Sequence, residues 1–212
     1  MNLQLNHSEV ISPSKITISG SKSETNRLLL LQALYPNILL ENASISDDSQ
    51  VMIHALKTSN SVIDIHHAGT AMRFLTAYFA VQEGRETILT GSSRMKERPI
   101  QILVDALRQL GANIEYEEKE GFPPLRIRGK KLTNSKVSIQ SNVSSQYISA
   151  LLLIASKLKN GLQLTLEGEL TSAPYIQMTL NLLNQVGIET EFNHNQIKVS
   201  RSEERRVGKE CA

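Results

Sequence analysis

The chain has 212 residues, 40% of them hydrophobic and 4% aromatic, with no tryptophan, one cysteine and a formal net charge of +2. That is apolar material for one large or two small packed domains, while the balanced charge and scarce rings argue against a nucleic-acid partner. Cys211 alone forms no internal disulfide, no apolar run reaches the roughly 18 residues of a membrane span, and the first seven residues lack a charged-then-apolar leader, so the expectation is a soluble protein of the reducing cytoplasm.

In chain order, residues 15–19 (Lys-Ile-Thr-Ile-Ser) alternate as a strand does and run into Gly-Ser-Lys-Ser-Glu-Thr-Asn-Arg at 20–27 and then Leu-Leu-Leu-Leu-Gln-Ala-Leu. The run 20–27 is a strand-to-helix turn loaded with hydroxyls, Lys22 and Arg27. The first turn of a helix offers free N–H groups and a partial positive charge, so anions bind there. Ser23, Asn26 and Arg27 share one face at this spacing. The plainer reading makes Ser21 or Ser23 an N-cap, with Lys22 and Arg27 solvated.

The remaining pattern repeats as helix, strand, helix, strand and often a further strand. The first unit reads as helix 25–35, strand 37–42, helix 48–58 and strand 62–66, with Asp47 and Asp48 as helix-capping acids rather than a catalytic pair. The second reads as helix 70–81, strand 86–90, helix 100–110 and strands 112–117 and 124–128. The third reads as helix 145–158, strand 163–167, helix 175–186 and strands 189–192 and 196–200. Gly84 and Gly161 fall between helix and strand, and Gly111 and Gly187 end the second helices as C-caps do. Three like units suggest one pseudo-threefold α/β domain that buries its helices together, with a plain doubly wound sheet as the alternative.

Each unit opens its first helix with a small or hydroxylic cluster: Ser21-Lys22-Ser23, Ala68-Gly69-Thr70 and Ser144-Ser145-Gln146. If the threefold holds, three helix starts converge on one face and concentrate donors for a multiply anionic ligand. Gly69 would let a ligand approach the backbone. Arg94, Lys96 and Arg98 precede another helix, and Lys96 and Arg98 read as solvated. Ser172-Ala-Pro-Tyr175 is a cap with proline at the helix start. His66 and His67 are adjacent in a strand and point apart, so they form no metal pair, and no carboxylate–histidine spacing supports a metal.

The last twelve residues, 201–212, switch abruptly to dense charge without apolar period. They are what a common sequencing-adapter oligonucleotide gives when translated, so they read as a non-native tail that replaces the true continuation, with a genuine charged, disordered tail as the alternative.

Five motifs in order, Ser-Lys-Ser-x-x-Asn-Arg, Ala-Gly-Thr-Ala-Met-Arg, Arg-Met-Lys-Glu-Arg-Pro-Ile, Ser-Ser-Gln and Ser-x-Pro-Tyr-Ile, make residues from about 10 to 200 resemble the EPSP synthase family. The resemblance implies an inside-out α/β fold of three βαβαββ repeats with buried helices, one lobe of two. Residues 1–18 would belong to the absent second lobe, and 19–200 would form the N-terminal lobe. It implies transfer of the enolpyruvyl group of phosphoenolpyruvate to the 5-hydroxyl of shikimate 3-phosphate, in aromatic amino acid biosynthesis, with no cofactor or metal and usually as a monomer. By the same resemblance Lys22 is catalytic and touches both substrates. Ser23, Arg27, Ser144, Ser145, Gln146, Ser172 and Tyr175 hold shikimate 3-phosphate. Gly69, Thr70, Arg94 and Gln146 face phosphoenolpyruvate. His67 stands where many members have Asn, and Phe74 where many have Pro, which bears on tolerance of glyphosate. The family's acidic base lies in the second lobe, so this chain alone is expected to be inactive. The related UDP-N-acetylglucosamine enolpyruvyl transferase and a non-catalytic anion-binding module are the alternatives.

Overall fold

Two sheets of the same strand order flank a set of buried helices. The computed structural model describes residues 3–202 except 5, 8, 10, 11, 14, 143 and 171, so the tail beyond Ser202 lies outside the described residues. The elements are α1 (Lys22–Leu34), α2 (Asp47–Lys57), β1 (Val62–Asp64), α3 (Gly69–Ala80), β2 (Glu86–Thr90), α4 (Ser93–Lys96), α5 (Gln101–Gln109), β3 (Asn113–Tyr116), β4 (Leu125–Arg128), β5 (Lys136–Gln140), α6 (Ser145–Ala155), β6 (Leu162–Glu167), α7 (Ala173–Gln185), β7 (Thr190–Asn193) and β8 (Gln196–Val199).

One sheet runs β1-β2-β4-β3 and the other β5-β6-β8-β7. In each, the first pair is parallel and the next two pairs are antiparallel. A parallel pair needs a crossover helix, supplied by α3 between β1 and β2 and by α6 between β5 and β6. Residues 62–128 and 136–199 are thus two copies of one βαβαββ unit, the second and third repeats. Both copies alternate buried and exposed along their strands, as in β5, where Val137 and Ile139 face inward. One face of each sheet therefore lies on the core and the other meets water.

The core helices are α3 and α6. In α6 every residue but Gln146 is buried, and in α3 every residue but Thr70. A helix apolar all round has no solvent face to offer and must be interior. They pack on each other, with α1 against both, α2 against α3, and α7 against α6. Leu151, Leu152, Leu153 and Ile154 are fully buried, and each such side chain contributes about 1.5–3 kcal/mol through burial.

The first repeat departs from expectation. Residues 15–19 and 37–42 alternate in sequence but form no strands in the structure. Ile16 and Ile18 are about four-fifths exposed, as is Leu39 nearly so, at 82%, 78% and 72%. Alternation makes a strand only when a neighbouring edge takes its hydrogen bonds, and neither segment has one among the described residues. No strand pair follows α2 either, so the outer face of α1 and α2 carries a groove lined by Leu29, Ala33, Leu40, Ile53 and Leu56 instead of a sheet. β5 and the short α4 complete the second and third repeats beyond what the pattern predicted.

Candidate functional site

Two helix starts, those of α1 and α6, carry a serine cap that the sequence already marks. Ser21 is the N-cap of α1 and accepts from Glu24 N at 3.4 Å. Ser144 caps α6, accepting from Gln146 N at 3.3 Å. Ser172 occupies the N-cap position of α7 without a capping bond, with Pro174 in the first turn. For α2 the cap position is Ser46 and not, as expected, Asp47 or Asp48, which lie one step on in the first turn, where the helix dipole stabilises carboxylates. His66 and His67 are not on a strand. β1 ends at Asp64, whose Oδ1 accepts from His66 N at 2.7 Å, and His66 turns at φ +50° into α3.

Contacts between these starts join them into one face. Lys22 Nζ lies 3.5 Å from Asp48 Oδ2, linking α1 to α2. A cleft of about 420 Å3 lies between the start of α2 and the turn before α3 and is lined by Asp47, Asp48, His66, His67, Ala68 and Ser92. Gln146 Nε2 donates to Thr70 Oγ1 at 3.2 Å, linking α6 to α3. Ser92 N donates to His66 O at 2.9 Å and its side chain caps α4, which brings the α4 loop to the same place.

Arg27 joins α1, α6 and α7 from beneath. Its Nε donates to Thr179 Oγ1 at 2.7 Å and its Nη2 to Ser149 Oγ at 3.0 Å. Nη1 donates to Ser23 O at 2.7 Å, and Nη2 also reaches Tyr175 O at 3.5 Å. The guanidinium lies 5.3 Å from the Phe74 ring centre and is 3% exposed. Burial pulls its pKa down to about 10, with no carboxylate bonded to it to offset the loss of water. All of its acceptors are neutral, and the more distant Tyr175 and Glu24 only partly offset the cost of burial.

The other expected residues fall as follows. Lys22 is exposed, and Ser23 is half-buried with its carbonyl taken by Arg27. Gly69 is buried, Thr70 half-buried and Ser145 buried. Arg94 is exposed on α4. Tyr175 is 49% exposed and touches the network only through its carbonyl. Among the described residues no group of three or more His, Cys, Asp or Glu is placed to hold a metal ion.

Four residues of this face were not anticipated. Thr179 and Ser149 carry Arg27, and their only signal was a lone hydroxyl in an otherwise apolar helix face. Arg73, spaced four residues after Gly69, donates back to Gly69 O at 3.1 Å and is 4% exposed. Arg98 is exposed, as expected, but its guanidinium lies against Gly69.

Helices inside, two like-ordered sheets outside and helix starts drawn to one face define a lobe of the inside-out α/β class. The chain belongs to the EPSP synthase family, 3-phosphoshikimate 1-carboxyvinyltransferase, whose family model matches residues 53–210. It is 56% identical over 182 residues to the 3-phosphoshikimate 1-carboxyvinyltransferase of Bacteroides fragilis strain YCH46, covering 85% of this chain and 44% of that protein. It is 41% identical over 210 residues to the enzyme of that name from Haemophilus influenzae, covering 85% and 49%. The fold is similar to that of EPSP synthase from Acinetobacter baumannii, with a TM-score of 0.74 at 19% identity over 93% of this chain and 49% of that one. The chain spans about half the length of the curated relatives it matches. Over the same share of this chain, the Haemophilus alignment is 210 − 182 = 28 positions longer than the Bacteroides one. The Haemophilus protein thus carries residues absent from the matched part of this chain.

Proposed function

We propose that this chain is the substrate-binding lobe of an enzyme that transfers the enolpyruvyl group of phosphoenolpyruvate to the 5-hydroxyl of shikimate 3-phosphate in the cytoplasm, releasing phosphate. What supports the reading is the pair of contacts between helix starts, Gln146 to Thr70 across α6 and α3 and Lys22 to Asp48 across α1 and α2. Both substrates bear a phosphate and a carboxylate, and clustered helix starts with lysine and arginine side chains answer that charge.

In this reading Lys22, free at the rim apart from Asp48, contacts both substrates and moves a proton. Gly69, Thr70, Arg94 and Gln146 line the phosphoenolpyruvate side. Ser23, Ser144, Ser145, Gln146, Ser172 and Tyr175 line the shikimate 3-phosphate side. Arg27 reaches the shikimate carboxylate through its remaining Nη1 hydrogen or by releasing the Tyr175 carbonyl, the longest of its bonds. The acid–base groups that deprotonate the 5-hydroxyl come from a second lobe, and enclosing the substrates between two lobes excludes water and aligns the reacting atoms. Residues 1–18 belong with that second lobe.

Two measurements test this. Titrating shikimate 3-phosphate into the chain should shift the amide signals of Lys22, Thr70 and Ser145 together, and a shift confined to one of them sinks the shared face. A phosphate-release assay should show no turnover by the chain alone and turnover when a second-lobe fragment of a close relative is added. Turnover by the chain alone would place the base within these 212 residues and overturn the assignment.

A further inference from the structure

The three cations before α5 are not equivalent. Lys96 is neutralised by Glu118, with Nζ 2.6 Å from Oε1. Arg98 pairs with no carboxylate among the described residues. Its guanidinium lies over the first residue of α3, where a Cβ built on Gly69 would fall 2.5 Å from Arg98 Nη1 and 3.1 Å from Cζ. The same Cβ would fall 3.2 Å from Arg73 Nη1, so two guanidiniums meet at one glycine.

That glycine opens a helix of 12 residues, whose N-terminus carries partial positive charge of its own. Arg73 is held under it by Gly69 O at 3.1 Å and Pro99 O at 3.4 Å, all acceptors being neutral. Its head packs beneath Gly69, it is 96% buried by a 4% exposure, and its Nε has no partner. Burial first, and then the charge of Arg98, work against its ionised form. Two like charges and a helix N-terminus in one spot repel one another unless an anion sits among them.

We propose that Arg98 is a phosphate-contacting residue at the start of α3, seated by the missing side chain of Gly69 and positioned by the buried charge of Arg73. This deepens the function proposed above and rests on it. Arg98 binds the ligand from the solvent side, and Arg73 acts through Arg98 by keeping its guanidinium pushed outward toward the anion. A side chain at position 69 would collide first with the flexible head of Arg98, and press lightly on Arg73 Nη1, rather than with backbone, so it would displace the Arg98 cation foremost.

The test is titration of inorganic phosphate into the full chain at low ionic strength, followed by amide shifts. Arg98→Gln should weaken phosphate by about fivefold, the order expected for one lost charge-assisted bond at a partly exposed site, and should remove the shifts at Gly69 and Thr70. Lys96→Gln, whose charge is already spent on Glu118, should stay within about twofold. Gly69→Ala should match Arg98→Gln, and the double variant should be no weaker than either single one, because both lose the same contact. Additive losses overturn the seating by Gly69. Wild-type affinity in Arg98→Gln, with the Lys22, Thr70 and Ser145 shifts intact, overturns the role of Arg98 and leaves the proposed function standing. An unresponsive wild type, with no shift at any helix start, overturns that function and this inference together.

Discussion

Arg27 Nε donates to Thr179 Oγ1 at 2.7 Å, a bond between residues 152 positions apart that pins α1 to α7 in the interior. The two ends of this bond are unequal in what their loss would do. Thr179→Val leaves the Nε hydrogen of a buried cation without an acceptor, which costs about 2–3 kcal/mol. Arg27→Met removes a cation with no paired carboxylate, and the hydroxyls it leaves behind stay bonded to each other at 2.9 Å, with Thr179 also bonded to Tyr175 O. A well-packed apolar replacement of a buried ion that no carboxylate bonds is close to neutral, within about 1 kcal/mol. Urea unfolding of both variants decides the order. If Arg27→Met is the more damaging, the guanidinium stabilises the fold and its burial is not a burden.

The Gln146–Thr70 bond is the direct link between the starts of α3 and α6. A double-mutant cycle with Gln146→Met and Thr70→Val should give a coupling of about 0.5–1.5 kcal/mol, as one half-buried neutral bond allows. A coupling near zero would mean that the two helix starts are held by packing alone.

Tyr116 sits beside Arg108, whose Cζ lies 5.2 Å from the ring centre, and its hydroxyl is buried without a partner. Burial, partly offset by Arg108, raises its pKa to about 12. The folded state therefore keeps this proton longer than the unfolded chain does. Its contribution is fully present below pH 10 and is lost as pH rises toward about 12. Discounted for partial exposure, the loss is about 1 kcal/mol. Tyr116→Phe should flatten the alkaline limb of a stability–pH curve. At neutral pH it should match or exceed wild type by up to about 1 kcal/mol, since it removes an unsatisfied hydroxyl and keeps the ring under Arg108. A loss at neutral pH would reveal a partner for the hydroxyl.

Gly84 and Gly129 are bonded to each other, N to O at 3.1 Å, yet they tolerate substitution differently. Gly84 has φ +78° with open space around it, so Gly84→Ala pays only for the left-handed backbone, about 1 kcal/mol. At Gly129 a Cβ would drive into the carbonyl oxygens of Gln82 and Phe79. Backbone cannot step aside as a side chain can, so Gly129→Ala should cost more than about 3 kcal/mol. Thermal melts of the two variants check the ranking.

Much of this was legible because the signals are local. Caps at Ser21 and Ser144, Pro174 at the start of α7, and the left-handed Gly111 and Gly187 mark helix ends with chemistry that works over a few residues. The all-apolar run of α6 marks an interior helix. What was missed depends on partners far away in sequence. The segment 15–19 has the period of a strand but no edge to pair with, whereas β5, with Val137 and Ile139 alternating, pairs with β6. Arg98 and Lys96 look alike in a basic loop, and only the fold assigns Glu118 to one and Gly69 to the other. Thr179 and Ser149 reveal nothing until Arg27 is seen between them.

The matched strand orders bear on how the chain is made. Each sheet draws all four strands from one uninterrupted stretch, 62–128 or 136–199, and no strand of either crosses to the other. A ribosome therefore synthesises the complete set of strands for the earlier sheet before any strand of the later one. Folding can advance in the direction of synthesis, repeat by repeat, without any early strand having to wait exposed for a partner encoded in the other sheet's stretch.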